Sequence, residues 1–187
     1  VLNIITRAEW GAAPPNGAFR PCTWRQRAVI HHTAGEYVRP ATGKPGPKWW
    51  LARYRSNRAV QKAINTWKRR DAPVFEREKA AMRQMQSFHQ RGHGWVDIGY
   101  HFVIFPSGRV YEGRPREVVG AHAVNGNLMP GISFAGNYEK DALTAPQVAA
   151  YHDLLDELGV NEATGHYRVV GNQTACPGKH IKTALGV

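Results

Sequence analysis

Short β-branched runs and one sharply bounded amphipathic stripe set out the elements of this chain. Ala28–Thr33 (Ala-Val-Ile-His-His-Thr) is apolar and β-branched, which predicts a strand. Gly99–Phe105 predicts a second, Pro106-Ser107-Gly108 a turn, and Arg109–Gly113 the returning arm of a hairpin. Ile132–Gly136 predicts a fourth strand. A helix then opens at Thr144, a natural N-cap with Pro146 in the first turn and Gln147 completing a capping box. Its apolar stripe is Val148, Tyr151, Leu154, Leu155 and Leu158, and Gly159 ends it. Between the first two strands, residues 40–47 are turn-rich. Trp50, Tyr54, Val60, Ile64 and Trp67 follow a helical spacing, and Phe75, Met82, Met85 and Phe88 predict another helix after Pro73, with these stripes facing a core. Strands mixed with helices give an α/β (α+β) class.

Length and composition narrow this further. The chain has 187 residues, 42% of them hydrophobic, with six tryptophans, enough for a single domain over 1–187 with a sizeable core and too apolar for disorder. No run of about 18 apolar residues is present, so no membrane span is expected. The N-terminus, Val1–Arg7, has neither the apolar stretch of a signal peptide nor an initiating Met, as in a trimmed precursor or an excised domain. Cys22 and Cys176 cannot build a disulfide framework; they could form one bridge, but the surroundings of Cys176 offer it a better use.

The net charge of +11 is concentrated. From Arg39 to Arg91, fourteen Lys and Arg meet three acids, whereas the remainder is balanced. A helical insert over about 39–91 with a basic polar side points to an anionic partner as readily as to a merely solvated face. Aromatics interleave with its arginines, as a nucleic-acid groove would need, yet no nucleic-acid motif accompanies them, and no specific nucleic acid is expected.

Candidate chemistry lies among nine histidines. Gly165-His166-Tyr167 followed ten residues later by Cys176-Pro177-Gly178 can present an imidazole and a thiol to one zinc ion, and the strand Ile30-His31-His32-Thr33 can supply a third ligand. Three protein ligands with one open position is the pattern of a catalytic zinc. In the strand, His31 shares a face with Val29 and Thr33 while His32 shares the other with Ile30, so only one of them can point into a given site.

Taken in order, Thr6–Ala12, Val29–Thr33, Gly94–Phe102, Gly108–Gly113, Gly120–Ala123, Gly131–Tyr138 and Cys176–Gly178 resemble the zinc amidases related to phage T7 lysozyme and the peptidoglycan recognition proteins. Apart from the basic insert, the resemblance covers nearly the whole chain. It implies a recognition-protein-like domain with a central mixed β-sheet flanked by helices. The activity implied is that of an N-acetylmuramoyl-L-alanine amidase, with Zn2+ as cofactor and bacterial peptidoglycan as partner. His31, His166 and Cys176 match the metal ligands, and Tyr100 the active-site tyrosine. His122 matches a residue lining the substrate groove, and His32 and Asn137 are expected to face substrate beside it. The family usually places the second histidine eight residues before the cysteine. The spacing of ten here implies a two-residue loop insertion, with His166 kept as ligand in preference to Asn172. Thr174 stands where some phage members carry an oxyanion-stabilising lysine, and is expected to help catalysis through its hydroxyl.

The alternative is a peptidoglycan-binding module without catalysis, but non-catalytic relatives typically lose the cysteine that this chain keeps. A basic amidase of this kind resembles the catalytic domain of a phage endolysin, made in the host cytoplasm and acting on the wall. A secreted enzyme is the other setting. A monomer is expected, with the basic insert drawn to anionic wall polymers.

Overall fold

The computed structural model describes residues 2–24, 26–35 and 58–187, with the side chains of 58–72 outside the description. The stripe Trp50, Tyr54, Val60, Ile64 and Trp67 and most of the basic insert therefore lie outside the described side chains. The chain forms two compact units, residues 1–37 with 82–187 and residues 38–81.

In chain order the described elements are β1 (Ile4–Ile5), α1 (Arg7–Trp10), β2 (Arg27–His32), α2 (Arg58–Ser87), β3 (Phe102–Ile104), β4 (Val110–Glu112), β5 (Gly131–Phe134), α3 (Ala145–Leu158), β6 (Glu162–Gly165) and α4 (Lys179–Leu185). The six strands make one mixed sheet in the order β1-β4-β3-β5-β2-β6. Only β3 and β4, the predicted hairpin, run antiparallel. The other neighbours are parallel, β2 lying between β5 and β6.

The two faces of this sheet carry different cargo, because side chains alternate along a strand. Ala28, Ile30, Phe102, Ile104, Ile132 and Phe134 join Ala150, Tyr151 and Leu154 of α3 and Ile181 of α4 in the main core. On the opposite face a smaller cluster joins Val29 to Ala123, Met129 and Val169. Removing side chains of this size from water stabilises the fold by about 1.5–3 kcal/mol each. Helix α3 has the predicted start and stop: Thr144 and Gln147 form a reciprocal capping box, and Gly159 closes the helix at φ 61°. Gln147 is also buried, donating to Ile104 O and to the Tyr138 hydroxyl, so one polar residue of the stripe region belongs to the core.

Two expectations change. Pro73 does not separate two helices; α2 runs through it from Arg58 to Ser87 and ends in a π-turn, Phe88–Gly92. A proline inside a helix removes one hydrogen bond and can be carried by the rest of a long element. Met82 is buried as expected, but Phe88 is 61% exposed and lies edge-on to His93. From Met82 onward α2 belongs to the sheet unit, where Arg83 donates to Trp10 O and Gln86 exchanges hydrogen bonds with the Ala13 backbone. Gln86 also donates to Asp97, whose other carboxylate oxygen pairs with Arg7 at 2.6 Å.

The second strand is also shorter than Gly99–Phe105. Tyr100 and His101 precede the regular ladder, although His101 N–H donates to Gly131 O and Gly113 N–H to His101 O.

Candidate functional site

Parallel pairing of β2 with β6 brings two candidate ligands to one end of the sheet. His31 lies near the carboxyl end of β2, and Ile30 pairs with Gly165, the last residue of β6. His166 follows at once in a short 3-10 turn, its ring centroid 4.5 Å from that of His31. The chain returns to this end before α4, where Tyr167 N–H donates to Cys176 O at 3.1 Å. One ligand atom each from His31, His166 and Cys176 then lies within 4.8 Å of the others. This is the one such cluster among the described residues.

Hydrogen bonding settles which nitrogens face inward. The Nε2 of His122 lies 3.0 Å from Met129 O, which can only accept, so it carries the proton. Burial pushes the His122 imidazole down to about 3, with His101 adding to the effect, so its Nδ1 is a bare acceptor. That atom sits 3.0 Å from His31 Nε2, which must therefore be the donor. His31 Nδ1 is left with its lone pair, 3.7 Å from Cys176 Sγ. Burial, then the nearby His122, holds His31 itself well below the ordinary histidine range, so it stays neutral.

His166 is arranged in the same way by another residue. Its Nε2 lies 2.9 Å from Asn172 Oδ1, while Asn172 Nδ2 donates to the carbonyls of Val124 and Val169. With the amide orientation fixed, Oδ1 must accept from His166, and Nδ1 is free. Cys176 Sγ accepts the His32 N–H at 3.4 Å. Burial pushes its thiol up to about 11, so alone it stays protonated at neutral pH; a dication would bind the thiolate and release that proton.

Two imidazole lone pairs and one thiol suit a zinc ion. Bonds of roughly 2.0–2.3 Å at tetrahedral angles separate ligand atoms by about 3.3–3.6 Å. The His31–Cys176 spacing is already near this, and the widest pair needs only a local adjustment.

Tyr100 packs its ring 5.2 Å from that of His31. Burial, then repulsion from Cys176 when it is a thiolate, raises its phenol well above the ordinary value, so it is a hydrogen-bond donor at any physiological pH. Thr174 is exposed, and its Oγ accepts Cys176 N–H at 3.2 Å, holding the turn that presents the ligand. Asn137 Oδ1 accepts Glu139 N–H in the turn after β5.

Two expected roles are corrected. His32 does not face this site: strand alternation turns its ring to the opposite side, where Nδ1 accepts Tyr138 N–H. Its contribution is the backbone N–H on Cys176. His122, expected in the substrate groove, is buried and bonded to His31, the first candidate ligand. Asn172, set aside as a ligand by its chemistry, is instead the hydrogen-bond partner of His166, the second candidate ligand. Its sequence signal was the longer spacing before Cys176.

A family model described as N-acetylmuramoyl-L-alanine amidase matches residues 23–179. The chain belongs to this family. Peptidoglycan-recognition protein SC2 of Drosophila simulans is 32% identical over 186 residues, covering 96% of this chain and 83% of the relative. The human N-acetylmuramoyl-L-alanine amidase is 38% identical over 113 residues, 56% of this chain and 19% of that much longer protein. Among solved structures, Drosophila peptidoglycan recognition protein SD superposes with a TM-score of 0.71 at 29% identity, covering 99% of this chain and 94% of the other. Peptidoglycan recognition protein LE, solved in complex with tracheal cytotoxin, superposes with a TM-score of 0.68 at 27% identity, covering 96% and 92%. The mixed sheet with its flanking helices is thus the amidase-family fold, and the three-donor cluster lies within the matched region.

Proposed function

We propose that this protein is a zinc-dependent N-acetylmuramoyl-L-alanine amidase, hydrolysing the amide between the lactyl group of N-acetylmuramic acid and the L-alanine of the stem peptide. The observation that carries this reading is the convergence of three donor atoms, two of them histidine nitrogens held bare by their partners. When bound, zinc lowers the pKa of its water toward about 7 and polarises the amide carbonyl. The chain's own residues supply the rest. His31, His166 and Cys176 would hold the ion; His122 keeps the His31 lone pair directed at it. The Tyr100 phenol donates to the oxyanion that develops as the carbonyl is attacked, a contribution of about 3–4 kcal/mol where such a donor is preorganised. The exposed Thr174 hydroxyl can donate a second hydrogen bond.

A second reading, binding of peptidoglycan without hydrolysis, has support in the relatives named as recognition proteins and in the tracheal cytotoxin complex of protein LE. Cys176 weighs against it, since a binding module has no use for a half-buried thiol beside two bare imidazole nitrogens.

The proposed setting is a phage-encoded lytic enzyme reaching the wall as a monomeric domain. Two free cysteines and the cationic segment over 39–91, attracted to anionic wall polymers, are in keeping with it. The test is mass spectrometry of digested peptidoglycan. Free stem peptides with an L-alanine N-terminus are expected; intact muropeptides from zinc-loaded protein would leave only the binding reading.

A further inference from the structure

We infer that Asn172 is the positioning residue of the second metal ligand: it fixes His166 as the Nε2–H tautomer and aims its Nδ1 lone pair at His31 and Cys176. The inference rests on the zinc reading above and adds a residue to it.

The amide of Asn172 is held on three sides. Nδ2 donates to Val124 O at 2.8 Å and Val169 O at 3.0 Å, and Oδ1 also accepts Val124 N–H at 3.2 Å. Flipping the amide would set its NH2 against Val124 N–H and its oxygen against two carbonyls. Oδ1 therefore faces His166 Nε2 at 2.9 Å, and a neutral imidazole can meet it only by donating.

The longer spacing before Cys176 is what brings Asn172 there. Val169 N–H closes onto His166 O, and Asn172 N–H returns to Val169 O at 3.1 Å, making a turn over Val169–Asn172. Gly171 occupies its third position at φ 87°, a conformation that type II turns require and side chains resist. Val170 is the tip, 81% exposed. Asn125 braces the same turn from outside, donating to Val170 O at 3.1 Å. The extra chain thus folds back on itself and delivers an acceptor to the outer nitrogen of His166. A hydrogen bond on the outer nitrogen both orients a ligating imidazole and raises its basicity.

The test compares wild type with Asn172→Leu, Asn172→Asp and Asn125→Ala. Two readouts are used: His166 ring nitrogen shifts by NMR in the metal-free protein, and zinc affinity by chelator competition. Wild type should show the Nε2–H tautomer. Asn172→Leu should show mixed tautomers and bind zinc about 10–100-fold more weakly. Asn172→Asp keeps an acceptor towards His166 but sets its second oxygen against Val124 O and Val169 O, so it should lose less than Asn172→Leu, while Asn125→Ala, which loosens the turn without touching the imidazole, should leave both readouts unchanged. An unchanged tautomer in Asn172→Leu, or equal weakening in Asn125→Ala, overturns the inference. If wild type binds no zinc the amidase reading falls, and the tautomer measurement alone still decides whether Asn172 governs His166.

Discussion

At the scale of single residues, five buried histidines in and around the sheet are kept neutral by what surrounds them. His31, His32, His89, His101 and His122 all have imidazoles lowered by burial. Four of them, His32, His89, His101 and His122, accept a hydrogen bond at Nδ1, and His31 is the donor that faces His122. A ligating histidine must be neutral to offer its lone pair, so the same packing that desolvates His31 prepares it for a metal. Tyr100 has the opposite task, to keep its proton. Tyr100→Phe should lower kcat by about 100- to 1,000-fold while the zinc content stays that of wild type. Loss of zinc in that variant would make Tyr100 a structural support of the ligands. That His31, His166 and Cys176 are candidates for one site was legible in the sequence, and the structure brings them together, but their outer partners were not legible. Strand alternation tells which of His31 and His32 faces a site, yet only tertiary structure sets His122 and Asn172 against the two ligands.

At the scale of elements, legibility followed the strength of local signals. Helix α3 could be bounded from Thr144, Gln147 and Gly159 because each makes its bond within one turn. Thr144→Ala, which removes the side-chain half of the capping box and a bond to Pro106 O, should cost about 1–2 kcal/mol in a denaturant titration. No change in the unfolding midpoint would contradict the capping account. Helix α2 was misread at Pro73, since a local breaker cannot reveal that the flanking turns are long enough to continue. The approach to β5 is invisible locally for a different reason. A Cβ placed on Gly131 would meet the His122 ring at 2.4 Å, and one on Gly120 would meet it at the same distance. Two glycines on either side of His122 in sequence, Gly120 and Gly131, make the slot in which its ring lies. Gly131→Ala should push His122 off His31 and weaken zinc binding by about 10-fold or more, as losses around a ligand's outer partner do. Zinc affinity equal to wild type in a folded Gly131→Ala protein would show that the slot does not matter.

At the scale of the whole molecule, burying neutral histidines ties stability to pH. His89 and His101 are lowered to about 4, chiefly by burial. His101 has a specific reason, as Gly131 N–H donates to its Nδ1 and would oppose a second proton there. Between pH 4 and the unfolded value near 6.5, the unfolded chain binds more protons than the folded one. Stability should therefore be full above about pH 6.5 and fall as pH drops toward 4, with His122, lowered to about 3, extending the loss below that. Each of the two contributes up to about 1.4 kcal/mol per pH unit in that window. Denaturation midpoints between pH 4 and 7 check this, and a stability that rises on acidification would contradict it. The sheet order itself was not legible, because parallel neighbours such as β2 and β6 are separated by more than a hundred residues and share no local pattern. Yet that pairing is what brings His31 and His166 together, and with them the account's central claim, that three side chains from distant segments hold one catalytic zinc. The most direct measurement is release of L-alanine-terminated stem peptides from peptidoglycan before chelation, after chelation and after zinc is restored. The account predicts activity that is lost, then recovered in the wild type and absent throughout in a folded Cys176→Ser protein. Activity that survives both chelation and Cys176→Ser would contradict it.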